Sequence, residues 1–460
     1  VCVCAPAVLP TEVFAQAVRR YVHRRFIPFR RPRDRSTCVQ HTHTDTQTHT
    51  HTHTHETGSV MTTTLLTALK KNQWKTNPLA LHPLIEAAKF GEVEGCREAL
   101  ANGGAKPDHK DPDGLSALMH ASNGGSLPVV RLLVEEGARI NAKDDMGETA
   151  LMKACKQGWW DVVKYLVDAQ LAQKRKGTFT VCDPQMAIAS ETRRIVDVKD
   201  DEGVTALMKA AEQGEDEVVK ALLDEGASVD CKDDQDWNAL MWASLHGRFQ
   251  ICQMFVEEYG QSAAYTTERG ETPLQKAAAN GHCDVCEFLI EKGAKVNQVD
   301  GESQTALMWA AAEGHLQTVK SLIELEARVD VVTKRGKTAL LLAAEYGHRA
   351  ICSHLLACGA KVEHQDEDGQ TALFGAIDAD HPGLLQTLID AGCPIEVHTT
   401  CGETALMWAA MRERLQCLRV LITAGAELQT QDENGLRALD HAECTLNAQT
   451  VEMLRTAEGK

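Results

Sequence analysis

The sequence predicts an all-α solenoid, in which stacked pairs of short helices are joined by short β-hairpin fingers. Three observations lead to it. A phrase close to Gly-x-Thr-Ala-Leu recurs, its third position falling at Ser116, Thr149, Thr205, Asn238, Thr272, Thr305, Thr338, Thr371, Thr404 and Arg437. Eight of the nine intervals are 33 or 34 residues, and the ninth, Thr149 to Thr205, is 56, one period plus 23. A fixed period of this length marks a repeat architecture in which each unit is one supersecondary element. Within each copy the apolar residues follow helical spacing. Aromatic residues make up only 5% of the 460, so the core rests on Ala, Leu, Val and Ile, and paired Ala lets helices approach closely.

The copy capped at Thr205 shows how each element arises. Its hydroxyl stands where a helix begins and can accept an orphan N–H. Leu207, Ala210 and Ala211 form one apolar face, and Gly214 ends the helix. Val218, Val219, Leu222 and Leu223 mark a second helix, closed by Gly226. One such unit cannot bury its own apolar face, so stacking must do it. A degenerate copy starts at His82-Pro83-Leu84, for eleven in all. The end copies should differ because their outer faces meet water. The first lacks the Asp-x-x-Gly turn, and the last has Arg437 in place of Thr, with Gln449, Thr450 and Glu452 on its second helix.

The pattern resembles the ankyrin repeat, whose signature is Gly-x-Thr-Pro-Leu-His-x-Ala-Ala, then Gly, Val-Val-x-x-Leu-Leu and Gly-Ala. Thr272-Pro273-Leu274-Gln275-Lys276-Ala277-Ala278, Gly281-His282, Leu289-Ile290 and Gly293-Ala294 match it closely, and the resemblance covers residues 80–460. It implies an ankyrin-repeat solenoid whose first helices line a concave face where partners bind. Most copies read Ala-Leu-Met where the family reads Pro-Leu-His, so the family's Thr–His hydrogen bond is absent. The extra residues fall within about 169–196. There Gln173-Lys174-Arg175-Lys176-Gly177 forms a basic cluster and Pro184 opposes helix, so an extended loop is expected.

The first sixty residues read differently. They open with Val1-Cys2-Val3-Cys4, and residues 48–55 alternate Thr and His, as translated dinucleotide repeats would. Residues 1–60 are therefore expected to be a disordered leader or a gene-model artefact, with Met61 a natural start and 61–79 a lead-in to the array. The alternative is a mitochondrial presequence, given Arg19, Arg20, Arg24, Arg25, Arg30 and Arg31. The location expected for the repeat body is the cytoplasm, with the nucleus open and the mitochondrion only if residues 1–60 are a genuine presequence.

The net charge is −17, but residues 1–60 carry eight Arg against four acids, leaving 40 basic and 61 acidic side chains beyond them. An acidic body repels phosphate backbones, so no nucleic-acid partner is expected. No apolar run approaches 18 residues, so membrane insertion is not expected either. The 16 cysteines show no disulfide-framework spacing. Cys283-x-x-Cys286 looks like half a zinc site, yet no second pair stands in register. Cys96, Cys252, Cys286 and Cys352 share the position of Val219, which reads as small buried apolar groups. His282, His315 and His348 each follow a Gly where the family's second helix begins. Asp144, Asp200, Asp233 and Asp366 read as turn supports. No phosphate loop, nucleophile elbow or His-Glu-x-x-His is present. No catalytic residue, metal or cofactor is therefore expected.

One pattern points to binding. The residue two after the Leu of each first helix is Trp242, Trp309 or Trp408 in three copies, Lys153, Lys209 or Lys276 in three, and His120 in another. Trp is favoured at interface hot spots. Packing against the neighbouring repeat accounts for these Trp equally well. Trp237, at a finger tip, is a further candidate contact. Lys209, Trp242, Lys276 and Trp309 lie in consecutive copies, so they form a stripe suited to an extended acidic or amphipathic segment. The expected function is a non-catalytic scaffold or adaptor holding a protein partner on the concave face and fingers. The alternatives are an inhibitor or nucleic-acid mimic using the acidic surface, or an accessory subunit of an enzyme complex.

Overall fold

A computed structural model describes residues 82–103, 105–175, 196–445 and 447–459. The expectations for residues 1–79 lie outside these. The described chain forms eleven helix pairs, from Pro83–Lys89 with Val93–Gly103 to Ala438–Thr445 with Ala448–Glu458. First helices pack against neighbouring first helices more closely than second helices do against theirs. The first helices therefore line the inner, concave side of the stack. The paired Ala of each copy (Ala210–Ala211, Ala277–Ala278, Ala310–Ala311) are fully buried in one apolar core that runs the length of the array.

Most first helices start from a side-chain cap, although Thr371 makes no such bond. Thr205 Oγ1 accepts the Met208 N–H at 3.4 Å, and Thr305 Oγ1 accepts that of Met308 at 3.3 Å. The missing family His is replaced in kind. The Met thioether faces the backbone N–H of the cap residue, with Sδ 3.5 Å from Thr205 N and 3.4 Å from Ser116 N and Thr404 N. A weak acceptor thus closes the box. In the last copy Asp440 closes it, accepting from Arg437 N at 2.9 Å. The first copy uses His82, whose Nδ1 accepts from Leu84 N.

Neighbouring copies are stapled at the residue after the Gly that ends each first helix. His282, His315 and His348 Nε2 lie 2.9–3.1 Å from the carbonyls of Leu245, Ala279 and Ala312 in the preceding copy. Trp159 and Arg248 donate to the Asn123 and Glu212 carbonyls in the same way, and Arg414, which follows Glu413 where others have Gly, donates to that of Asp378. Glycine is needed alongside: Gly281 has φ +78°, and a Cβ there would sit 2.5 Å from His315 Nδ1.

Three details depart from expectation. The fingers are tight turns, and pairing among the described residues is limited to single antiparallel bridges, Lys110–Ser116, Lys199–Thr205 and His398–Thr404. Arms this short hold their turn through side chains instead. The insertion does not begin as a loop, because the second helix Trp160–Arg175 continues through its first residues. Ala169 to Arg175 is made almost wholly of strong helix formers. Pro184 lies outside the described residues, and the fold resumes at Val196, which is buried. Finally, the single 34-residue interval, Asn238 to Thr272, is absorbed as a π-helical turn, Met254–Glu258, at the end of its second helix.

Candidate protein-binding face

The concave face is built from the finger turns and the first helices. In seven copies an Asp opens the turn: Asp111, Asp144, Asp200, Asp233, Asp300, Asp366 and Asp432. Its Oδ1 accepts the backbone N–H groups two and four residues on, at 2.8–3.1 Å. In six of the seven the other oxygen, Oδ2, faces the residue nine positions later, which is the position singled out in the sequence. His120 meets Asp111 at 2.8 Å, Lys153 meets Asp144 at 2.8 Å and Lys209 meets Asp200 at 3.1 Å. The Trp242 indole N–H donates to Asp233 at 3.0 Å and that of Trp309 to Asp300 at 3.2 Å. His441 meets Asp432 at 3.0 Å. In these six copies the position is thus a strut tying the first helix to its own finger.

Where the turn opens with Thr (Thr267, Thr333, Thr399), the hydroxyl still accepts a turn N–H, but the opening residue has no carboxylate to offer the helix. Lys276 turns to Glu271 at 2.8 Å, Leu342 donates nothing, and Trp408 reaches Asp378 of the preceding copy at 2.9 Å.

These bonds correct the charge expected of the stripe. Lys209 is matched by Asp200 and by Glu148 Oε1 at 3.3 Å. Glu148 also bonds Lys153, so it joins the copies on either side of the insertion. Burial lowers the pKa of both lysines, but their carboxylate partners outweigh it and hold the ammonium groups above the usual range. Lys276 is engaged by Glu271. The stripe therefore offers no unmatched cation to an acidic segment. Trp408 is only 8% exposed and packs edge-on to Phe374, with the Arg412 guanidinium over its face. It belongs to the packed interior more than to the face.

Trp242 and Trp309 remain half-buried, each with its N–H fixed. Trp237 joins them in a way the sequence did not show. Its ring lies 5.6 Å edge-on from that of Trp242, and Lys276 Nζ stands 4.2 Å over it. Glu271 binds both, taking the Trp237 N–H at 2.8 Å on one oxygen and Lys276 on the other. His246 stacks parallel to Trp242 at 6.4 Å. Two indoles, an imidazole and an ion pair thus meet across the copies capped at Asn238 and Thr272. The finger carrying Trp237 has Asp236 where most others have Gly, at φ +66°. Lys232 binds that Asp at 2.7 Å, and Asp236 in turn accepts from Glu268 N of the next finger. These bonds hold a conformation that favours glycine.

The remaining candidates have structural places. Cys96, Cys252, Cys286 and Cys352 are fully buried, and burial pushes the Cys96, Cys252 and Cys352 thiols up to about 12 and that of Cys286 further still. Cys283 is partly exposed, with its sulfur 3.4 Å from Glu287. Among the described residues no three His, Cys, Asp or Glu side chains stand close enough to hold a metal ion. No described helix is long and apolar enough to cross a membrane.

Stacked helix pairs, capped turns and strutted fingers define a helical-repeat solenoid. The family model for ankyrin repeats matches residues 58–178, 186–267, 259–333, 307–398 and 373–459, and the chain belongs to the ankyrin-repeat family. Two fungal proteins called palmitoyltransferase akr1 share short stretches with it. That of Neurospora crassa is 49% identical over 41 residues, 9% of this chain and 6% of its own. That of Emericella nidulans is 43% identical over 53 residues, 12% of this chain and 7% of its own. These stretches are little longer than one to one and a half repeats, and the chain spans a small fraction of either relative's length.

Proposed function

We propose that this chain is a non-catalytic scaffold or adaptor of the cytoplasm that docks a partner protein on its concave face and finger tips. The observation that carries this is the cluster of Trp237, Trp242 and Lys276, continued by Trp309. Its polar atoms are satisfied within the chain while the indole faces stay partly open. A surface whose side chains are already held loses little rotamer freedom on association, so the apolar area it buries goes further towards affinity. Aromatic anchors of this kind dominate interface energetics. The family supports protein binding in general. The transferase activity named for the two fungal relatives is not taken over, because the shared stretches amount to repeat sequence alone.

The test is a pull-down with the full chain, followed by titration of the recovered partner against Trp242→Ala, Trp309→Ala and Glu217→Ala. Glu217 is exposed on a second helix, on the convex side. Loss of about 2 kcal/mol, roughly thirtyfold in affinity, is expected for a Trp anchor and none for Glu217. Folded Trp variants that bind as tightly as the Glu217 control would remove this face from consideration.

A further inference from the structure

The residue just before each turn-opening Asp or Thr forms a second row across the fingers. From the first finger onwards it is Lys110, Lys143, Lys199, Lys232, Thr266, Val299 and Val332, all exposed. The lysines are held in a ladder. Lys110 Nζ donates to the Lys143 carbonyl at 2.6 Å, Lys143 Nζ to that of Lys199 at 2.6 Å, and Lys199 Nζ to that of Lys232 at 2.5 Å. The ladder thus crosses the insertion unbroken. Each bond occupies one of the three N–H groups of an ammonium and leaves two for a further acceptor.

These cations differ from those of the struts. Lys153 and Lys209 are matched by carboxylates, and Lys232 is matched by Asp236 at 2.7 Å. Lys110, Lys143 and Lys199 form no ion pair among the described residues; each is held by a neutral carbonyl, which leaves its charge uncancelled. The turn carboxylates beside them, Asp111, Asp144 and Asp200, are taken by His120, Lys153 and Lys209. Exposed charges more than about 8 Å apart are largely screened at physiological salt. A segment lying on the row therefore meets these three ammonium groups ahead of the acidic excess of the whole chain.

The spacing sets what fits. Packed helices stand about 8–10 Å apart, and an extended chain rises about 3.3 Å per residue. Carboxylates at every third residue of an extended segment therefore match the three lysines. Three copies beyond Lys199, about nine residues of such a segment, the row turns apolar at Val299 and Val332, which are 36% and 41% exposed. We propose that this row binds an extended polypeptide segment of the partner, with spaced Asp or Glu at one end and two apolar residues, three apart, at the other. An unbroken polyanion fits less well, because Asp113, Asp145 and Asp201 stand exposed at the finger tips just beyond the lysines and repel it. Side chains already pinned lose little rotamer freedom when the segment binds. The inference rests on reading the concave face and fingers as the docking surface.

The probe is a fluorescein-labelled synthetic peptide of this design, compared with one of identical composition whose Glu residues stand side by side. Both are titrated with the full chain by fluorescence anisotropy in about 20 mM salt, where exposed charges are little screened. The test variant carries Lys110→Gln, Lys143→Gln and Lys199→Gln together. The same three positions changed to Arg keep the charge, and Lys220→Gln, exposed on a second helix, is the control. The spaced peptide should bind about fivefold tighter than the clustered one. The triple Gln variant should weaken it about tenfold, about twofold for each exposed pair, while the Arg and Lys220 variants stay within about twofold. Should the triple Gln variant lose its helical circular dichroism, the single variants are read instead. Equal binding of the two peptides, a loss under about threefold in the folded triple variant, or equal losses with Gln and Arg overturn the inference. No binding of the spaced peptide at about 1 mM overturns it too. The docking reading is judged separately, by the Trp variants and the recovered partner, and stands or falls without this row.

Discussion

Replacing Asp233 with Ala probes the strut directly. Its carboxylate accepts three hydrogen bonds: Gln235 N at 2.9 Å, Trp237 N at 2.8 Å and Trp242 Nε1 at 3.0 Å. A hydrogen bond to a charged group contributes about 1.5–3 kcal/mol net, and a neutral one about 1. Taken near the lower end, the three sum to about 3–5 kcal/mol. Against this, burial has raised the Asp233 pKa even with those donors in place. The carboxylate therefore carries a desolvation cost that Ala would release. A net loss of about 2–3 kcal/mol is the balance. Asp233→Thr should lose less than half as much, since Thr267, Thr333 and Thr399 hold equivalent turns through their hydroxyls. Guanidinium unfolding followed by Trp fluorescence and by far-UV circular dichroism measures both. Stability in a stacked array is nearly a sum of repeat and neighbour terms, so the loss should begin in the copies around Asn238. Equal midpoints for wild type and Asp233→Ala, or a Thr variant weaker than the Ala one, would refute the reasoning.

Three further outcomes are expected. Ala310→Leu or Ala311→Leu should lower the melting temperature through overpacking worth about 1–3 kcal/mol, while Glu313→Leu, at an exposed position, should not; equal melting of all three would contradict the helix register. Cys286→Ser, which puts a hydroxyl into a fully buried site, should cost about 1–3 kcal/mol, and Cys283→Ser little; stoichiometric zinc lost on either change would point to a metal site instead. Acidification should loosen the first copy, because burial, with the charge of His109 beside it, holds His82 at about 4, below its ordinary 6.5. Between those values the unfolded chain binds more protons, so stability is full above pH 6.5 and falls as pH drops towards 4. Amide exchange of residues 83–103 should quicken over that window and stay flat in His82→Asn, which keeps an acceptor for Leu84 N; identical pH profiles would contradict this.

The period, the core and the second-helix cysteines were legible because each is a local pattern: the Thr cap, the Ala pair and the Val219 position recur at one spacing. The struts were not read, although both partners were in view. Asp or Thr stands nine residues before each strut position, and only Asp copies carry a strut bonded to the residue that opens the turn. A helix period of 3.6 links neighbours three or four apart, so a contact across a turn and a helix start falls outside it. The neutralisation of Lys209 was hidden for another reason. Glu148 lies 61 residues earlier, across the insertion, and only stacking brings the two within 3.3 Å. At the insertion Pro184 outweighed seven helix-favouring residues from Ala169, and the helix runs on to Arg175.

The central claim, that a partner docks on the concave face, is tested most directly by the exchange footprint of the complex. Amide exchange of the full chain with and without the recovered partner should show protection in first helices and fingers, strongest over Asp233–Leu245 and Thr267–Ala279. The second helices Asp216–Asp224 and Cys283–Glu291 should exchange as in the free protein. Protection concentrated on those second helices, with the Trp237–Trp242 region unchanged, would contradict it.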